Sequence, residues 1–185
     1  MLYNHKDALK KYGTHGEIIK ALNKGKIIKL ERNIYGTSTE CTDLEYIITK
    51  YPKVVFTMDS AFYYLGLSKE EPKLLHLATN RTAVRMKDKC VEQYYQLDKF
   101  FNVGVTIFKI NNLTIHMYNK ERMLIELIRN RVKIKDSLYD EVIKNYYSQK
   151  ETLNEKKLVN YLKKFNSKKG IVNKINEELD MDLVI

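Results

Sequence analysis

The chain has 185 residues, 44% of them hydrophobic, with a formal net charge of +10 and a pI near 9.4. That composition can bury a core of ordinary domain size, but its longest apolar run, Ala61–Leu67, falls far short of the roughly 20 residues a helical membrane span needs. The first residues lack an apolar signal-peptide core, and Cys41 and Cys90 stand apart without CxxC spacing, so the expectation is a soluble cytoplasmic protein with reduced thiols and no cysteine-based zinc site. Positive charge favours polyanionic partners, but only six of the 33 basic residues are arginine, so where the charge sits matters more than its sum. Residues 1–35 are the densest, with eight basic and three acidic side chains; residues 36–79 carry a net −2 and residues 80–147 a net +5.

Along the chain, "NHKDALKKYG" predicts a first helix of about two turns closed by Gly13, because glycine takes the positive φ that ends a helix. A second helix follows at once. Thr14 caps it, Glu17 completes the capping box "THGE", and Ile18, Ile19, Ala21 and Leu22 form its expected buried side. Gly25 ends it, and "KIIKLERNIYG" reads as a hairpin turning near Arg32 and Asn33, with Ile28, Leu30 and Ile34 as core candidates. The polar stretch Gly36–Thr42 reads as a linker. Thr42 opens another capping box, "TDLE", ahead of a helix with Leu44, Ile47 and Ile48 on one side and Pro52 beyond its end.

The body alternates: strand "KVVF", helix "TMDSAFYYLGL", strand "KLLHLAT", then the extended runs "CVEQYYQL", "VGVTIFKI" and "LTIHMY". Asn111 and Asn112 suit the tight turn of a hairpin between the last two. From Asn119 onward the pattern is helical, with further helices over 136–147, 155–165 and 168–179 and cap candidates Asn119, Asn154 and Ser167. The predicted fold class is α+β: an N-terminal winged helix-turn-helix over residues 1–36, then a mixed α/β domain over 43–185 whose C-terminal third is helical.

A winged helix-turn-helix reads DNA by laying its second helix in the major groove while the wing reaches the backbone beside it. The residues left outside the apolar stripe of the second helix are His15, Gly16, Lys20, Asn23 and Lys24, with Thr14 at its cap. The wing adds Lys29, Arg32 and Asn33, and Lys6, Lys10 and Lys11 of the first helix could hold phosphates. Glu17 counts against this unless it is held aside. The same residues also describe a structural helix-hairpin that shows its lysines to water.

The order of "ALNKGKIIKLERNIYG", "TMDSAFYYLGLSKEEPKLLHLATN" and "VGVTIFKINNLTIHMYNKERMLIELIRNR" resembles the antitoxin family of AbiE-type (type IV) toxin–antitoxin systems, over about His5 to Tyr147. The matching positions are Ser60-Ala61, Gly66-Leu67, Pro72 and Glu121-Arg122. The departures are Tyr64 and Leu65 where the family has histidine before Gly-Leu, Asn33 for the wing glycine, and Glu126 for a late aspartate. The resemblance implies a non-enzymatic transcriptional autorepressor. It would bind inverted repeats in its own promoter as a monomer or weak dimer pairing on DNA. It would also counter a nucleotidyltransferase-like toxin without forming a stable complex.

Other chemistries find little footing. His5, His15, His76 and His116 show no HxxxH or HExxH spacing, although His76 and His116 both fall in predicted strands and could become neighbours. No phosphate-binding glycine loop or nucleophile elbow is present, so no cofactor, metal or catalytic residue is expected. Asp98 with Lys99, and Asp140, Glu141 and Lys144, sketch the alternative of a metal-dependent nuclease guided by a DNA-binding module; a protein-interaction module is the other. Arg81, Arg85, Lys87 and Lys89 form a basic group read either as a solvated loop or as a second phosphate-contacting surface.

Overall fold

The computed structural model describes residues 1–166 and 169–184 and divides the chain into two compact units, Met1–Val54 and Val55–Ile185. Both mix helices and strands, one sheet to each. The helix start expected at Ser167 and Lys168 lies outside the described residues.

The first unit opens on a strand, β1 (Leu2–Asn4), that sequence pattern did not predict. Asn4 ends it and caps α1 (His5–Tyr12), its side chain accepting from the Asp7 amide at 3.0 Å. Gly13, at φ +91°, closes α1 as expected. Thr14 then caps α2 (His15–Asn23). That helix ends in a Schellman arrangement: Lys26 N–H bonds to Ala21 O at 2.9 Å and Gly25 N–H to Leu22 O at 3.0 Å, with Gly25 at φ +66°. The hairpin of β2 (Ile28–Glu31) and β3 (Ile34–Gly36) turns at Arg32 and Asn33, and Asn33 occupies the left-handed region at φ +65°.

The sheet order is β1-β3-β2, all antiparallel, so the last strand lies in the middle. Tyr3, Ala8, Ile18, Ala21, Ile27 and Tyr35 fill the core beneath the helices. Two expectations need correction. Ile19 points outward at 44% exposure, while Ile27, just before β2, takes the buried place. The helix α3 (Asp43–Lys50), assigned by sequence to the larger domain, belongs to the first unit, where it contacts β1 and buries Ile47 completely.

The second unit is built on a five-stranded sheet ordered β6-β5-β4-β8-β7. Its strands are β4 (Val55–Phe56), β5 (Leu75–Asn80), β6 (Val91–Gln96), β7 (Val105–Ile110) and β8 (Leu113–Tyr118). The short central β4 is antiparallel to β5 and parallel to β8. Between β7 and β8, Asn111 at φ +52° makes the expected hairpin turn. Helix α4 (Met58–Tyr64) follows β4, and the single turn α5 (Asp98–Phe101) follows β6.

The C-terminal third is helical: α6 (Lys120–Arg129), α7 (Asp136–Ser148), α8 (Glu155–Lys164) and α9 (Lys169–Leu179). Asn119 and Asn154 cap α6 and α8 as the sequence predicts. Helix α6 is buried on nearly every side, including its charged residues Glu121, Arg122 and Glu126. Gly104 is required beside it. At φ +79° a Cβ there would lie 2.6 Å from Arg122 Cβ.

Candidate nucleic-acid interface

Helix α2 presents two stripes. Ile18, Ala21 and Leu22 face the core, and Gly16, Ile19, Lys20 and Asn23 recur at i, i+3, i+4 and i+7 on the opposite, solvent-facing side. All eleven residues proposed from sequence are exposed: Lys6, Lys10 and Lys11 on α1, Thr14 at the α2 cap, His15, Lys20 and Asn23 on α2, Lys24 after it, and Lys29, Arg32 and Asn33 on the hairpin.

Several of them are already engaged. The Thr14 hydroxyl accepts from the Glu17 amide at 3.2 Å, so half of the capping box forms. The other half does not: the Glu17 carboxylate turns to Lys20 Nζ at 2.6 Å, and that bond raises the lysine pKa. Lys10 lies 3.8 Å from Asp7. Lys11 donates to the Tyr3 hydroxyl and sits 4.5 Å from that ring's centroid, with the hydrogen bond raising its pKa. The His15 ring meets His5 edge-on at 5.7 Å. No hydrogen bond or ion pair to another described residue holds the side chains of Lys6, Asn23, Lys24, Lys26, Lys29, Arg32 or Asn33.

The acidic residues are treated differently from the basic ones. On the hairpin, Glu31 accepts from the Tyr46 hydroxyl and lies 2.9 Å from Lys50 Nζ, both on α3. Thus each of the three carboxylates within residues 1–35, Asp7, Glu17 and Glu31, has a lysine partner, and five lysines and one arginine of that stretch have no carboxylate partner among the described residues. Within residues 1–35 the cations that remain without a carboxylate therefore sit on α1, just after α2 and on the hairpin.

The second basic group sits in the second unit, in the crossover from β5 to β6. These strands are parallel, yet only residues 81–90 join them, fewer than the dozen or more such a connection usually takes. Gln93 pins the crossover to the sheet: its side chain accepts from Met86 N–H at 2.8 Å and donates to Thr79 Oγ1 at 2.9 Å and Val84 O at 3.3 Å. Arg81, Arg85, Lys87 and Lys89 all project from it exposed.

Sequence reasoning missed a cleft of about 580 Å³ in the second unit, lined by Asp59, His76, Glu92, Tyr94, Lys133 and Lys135 among others. There the Tyr94 hydroxyl lies 2.9 Å from His76 Nδ1, and His76 Nε2 lies 3.8 Å from Asp59. Burial lowers the His76 pKa despite the opposing pull of Asp59 and Glu92. The parallel β5–β6 register places His76 and Tyr94 on one face. His116 is not part of it; β4 separates its strand from that of His76, so the neighbouring arrangement that the sequence left open does not form. Among the described residues no group of three His, Cys, Asp or Glu could hold a metal ion. Glu141, one of the carboxylates weighed for nuclease chemistry, accepts from Lys69 N–H at 3.0 Å and holds the turn after α4.

The positions shared with the antitoxin pattern do structural work. Ser60 Oγ accepts from His76 N–H at 2.8 Å, Ala61 and Leu67 are fully buried, and Gly66 ends α4 at φ +71°. Glu121 accepts from the Asn154 amide at 2.9 Å. Arg122, wholly buried, pairs with Glu126 at 2.7 Å, donates to Phe100 O, Val103 O and Gln96, and lies between the rings of Tyr118 and Phe165. Glu126, the departure from the late aspartate, thus serves as the counter-ion of Arg122. No protein-family model matches the chain, and no curated protein matches it. No helix among the described residues is long and apolar enough to cross a membrane.

Proposed function

We propose that Met1–Val54 is a winged helix-turn-helix module that binds duplex DNA and that the chain is a DNA-binding transcriptional regulator. In this reading α1 and α2 are the helix-turn-helix, β2 and β3 the wing, and α2 enters the major groove. The observation that carries it is the outer stripe of α2, exposed opposite the core stripe, together with the lysines and arginine of residues 1–35 that have no carboxylate partner among the described residues. The element order β1-α1-α2-β2-β3 with β3 in the middle agrees with a wing folded back beside the first strand. One module this small makes few contacts, so two copies would pair on an inverted repeat.

The autorepressor and antitoxin roles, with a nucleotidyltransferase-like toxin as functional partner, rest on the sequence resemblance and belong to the same proposal. They are tested by co-expression with the product of the neighbouring gene: relief of growth arrest is the expected outcome, and unrelieved arrest removes the antitoxin role.

Gel-shift titration of the full chain against its own upstream DNA, at two salt concentrations and with or without Mg²⁺, tests the DNA reading. Intact, retarded DNA with steep salt dependence is expected. Replacing Lys24, Lys29 and Arg32 with alanine should flatten the log–log salt slope by about 0.9 for each phosphate that is no longer neutralised. Cleavage only with metal would favour a nuclease instead, and no retardation at low salt would defeat the proposal.

A further inference from the structure

The outer stripe of α2 contains an apolar side chain where a merely solvated surface would be polar. Ile19 is 44% exposed although Ile18 beside it is fully buried, and it lies on the outward side of α2 one turn after Gly16 and one turn before Asn23. A single exposed isoleucine is ordinary on any surface. Its neighbours make it informative. Asn23, one turn further on, has no partner among the described residues, and Gly16, one turn earlier, has no structural need to be glycine. A Cβ at Gly16 would meet only Thr14 Oγ1, at 3.8 Å, and its φ is not in the left-handed region. Glycine inside a helix weakens it relative to alanine, so its place on the outward stripe fits a turn that must come close to a partner.

The chemistry of the stripe selects among base pairs. In the major groove thymine alone of the four ordinary bases presents a methyl group, the natural partner of an aliphatic side chain, and adenine offers the N6 and N7 pair that an asparagine amide meets with two hydrogen bonds. Ile19 and Asn23 are separated by one helical turn, about 6 Å along the axis, which spans about two base-pair steps. Resting on the DNA-binding reading above, we infer that α2 specifies an A·T-containing half-site, with Ile19 on a thymine methyl and Asn23 on an adenine about two steps away. Lys20, tied to Glu17, and the cations of the hairpin position the helix on phosphates and carry no base information.

The test begins with a random 20-bp duplex library enriched on the full chain. In the enriched duplexes each thymine is then replaced in turn by deoxyuridine, which removes only the methyl group. At one thymine per half-site the wild-type protein should lose about four-fold in affinity. Ile19→Ala, a change at an exposed position, should bind the thymine and uracil duplexes equally. Replacing the partner adenine by purine, which lacks the 6-amino group, should cost wild type about five-fold or more and Asn23→Ala nothing further. If duplexes are enriched but wild type is indifferent to uracil at every position, or Ile19→Ala stays as sensitive as wild type, the assignment of Ile19 is overturned while DNA binding stands. Enrichment of no duplex at all overturns both.

Discussion

Gly16→Ala separates what the fold needs from what a partner needs at the same residue. Gly16 is the second residue of α2, its φ is not positive, and the added methyl group would find only the Thr14 hydroxyl at ordinary contact distance. Alanine should therefore stabilise the first unit by about 0.5–1 kcal/mol, the usual gain from replacing an unstrained helical glycine. With a urea m-value of about 1 kcal/mol/M for so small a unit, the midpoint should rise by about 0.5–1 M, read by far-UV circular dichroism. Affinity for the enriched duplex should move the other way. A methyl group forced into a closely packed contact costs about 1–3 kcal/mol, or about five-fold to 150-fold. A protein that is both more stable and a weaker DNA binder is the expected result. Unchanged affinity would refute close approach at this turn, and a lower midpoint would refute the reading that the fold does not require glycine here.

In the second unit, Arg122→Ala should cost about 3–5 kcal/mol, because it leaves the Glu126 carboxylate buried without its main counter-ion and strips donors from Phe100 O and Val103 O. Arg122→Met with Glu126→Leu should recover much of that loss in urea melts, and a double variant no better than the single one would show that the carboxylate is not the cause. His76 gives a pH dependence. Burial holds its folded-state pKa below the unfolded value of about 6.5, so its contribution is complete above that pH and is lost as pH falls toward the folded pKa. Melts of the second unit from pH 7.5 to 5 should show stability declining on the acid side, with a smaller decline in His76→Gln; equal slopes would refute the assignment.

Much of this architecture was legible because its signals are local. Gly13 and Gly25 end helices through the positive φ that glycine tolerates, Thr14, Thr42, Asn119 and Asn154 each accept a hydrogen bond from an amide three residues on, and Asn33 and Asn111 make turns in the left-handed region. What escaped depended on distant partners. Strand β1 has three residues and no pattern of its own; it exists because Tyr3 meets Tyr35 across the sheet. Two adjacent isoleucines cannot both lie at the centre of a helix's buried stripe, and here Ile18 packs into the core with Ile27 and Tyr35 while Ile19 points out. The charges of α6 look like a solvated face, yet α8 and the turn after α5 cover them.

The same distinction explains why net charge alone was a poor guide to the candidate interface. Formal charge counts Glu17 and Glu31 as obstacles to a polyanion, but a count cannot see that Glu17 turns to Lys20 or that Lys50 and Tyr46 of α3 reach Glu31. The consequence is a division of labour between the two ends of the first unit's sequence. Residues 1–35 supply the exposed cations, and α3, beyond the linker, supplies the lysine that quiets the hairpin's carboxylate. A module cut at Gly36, as the sequence boundary suggested, would lose the Lys50 and Tyr46 contacts to Glu31. The proposal of DNA binding therefore concerns residues 1–54 as one unit, in which α3 supplies the cation that pairs with the hairpin's Glu31.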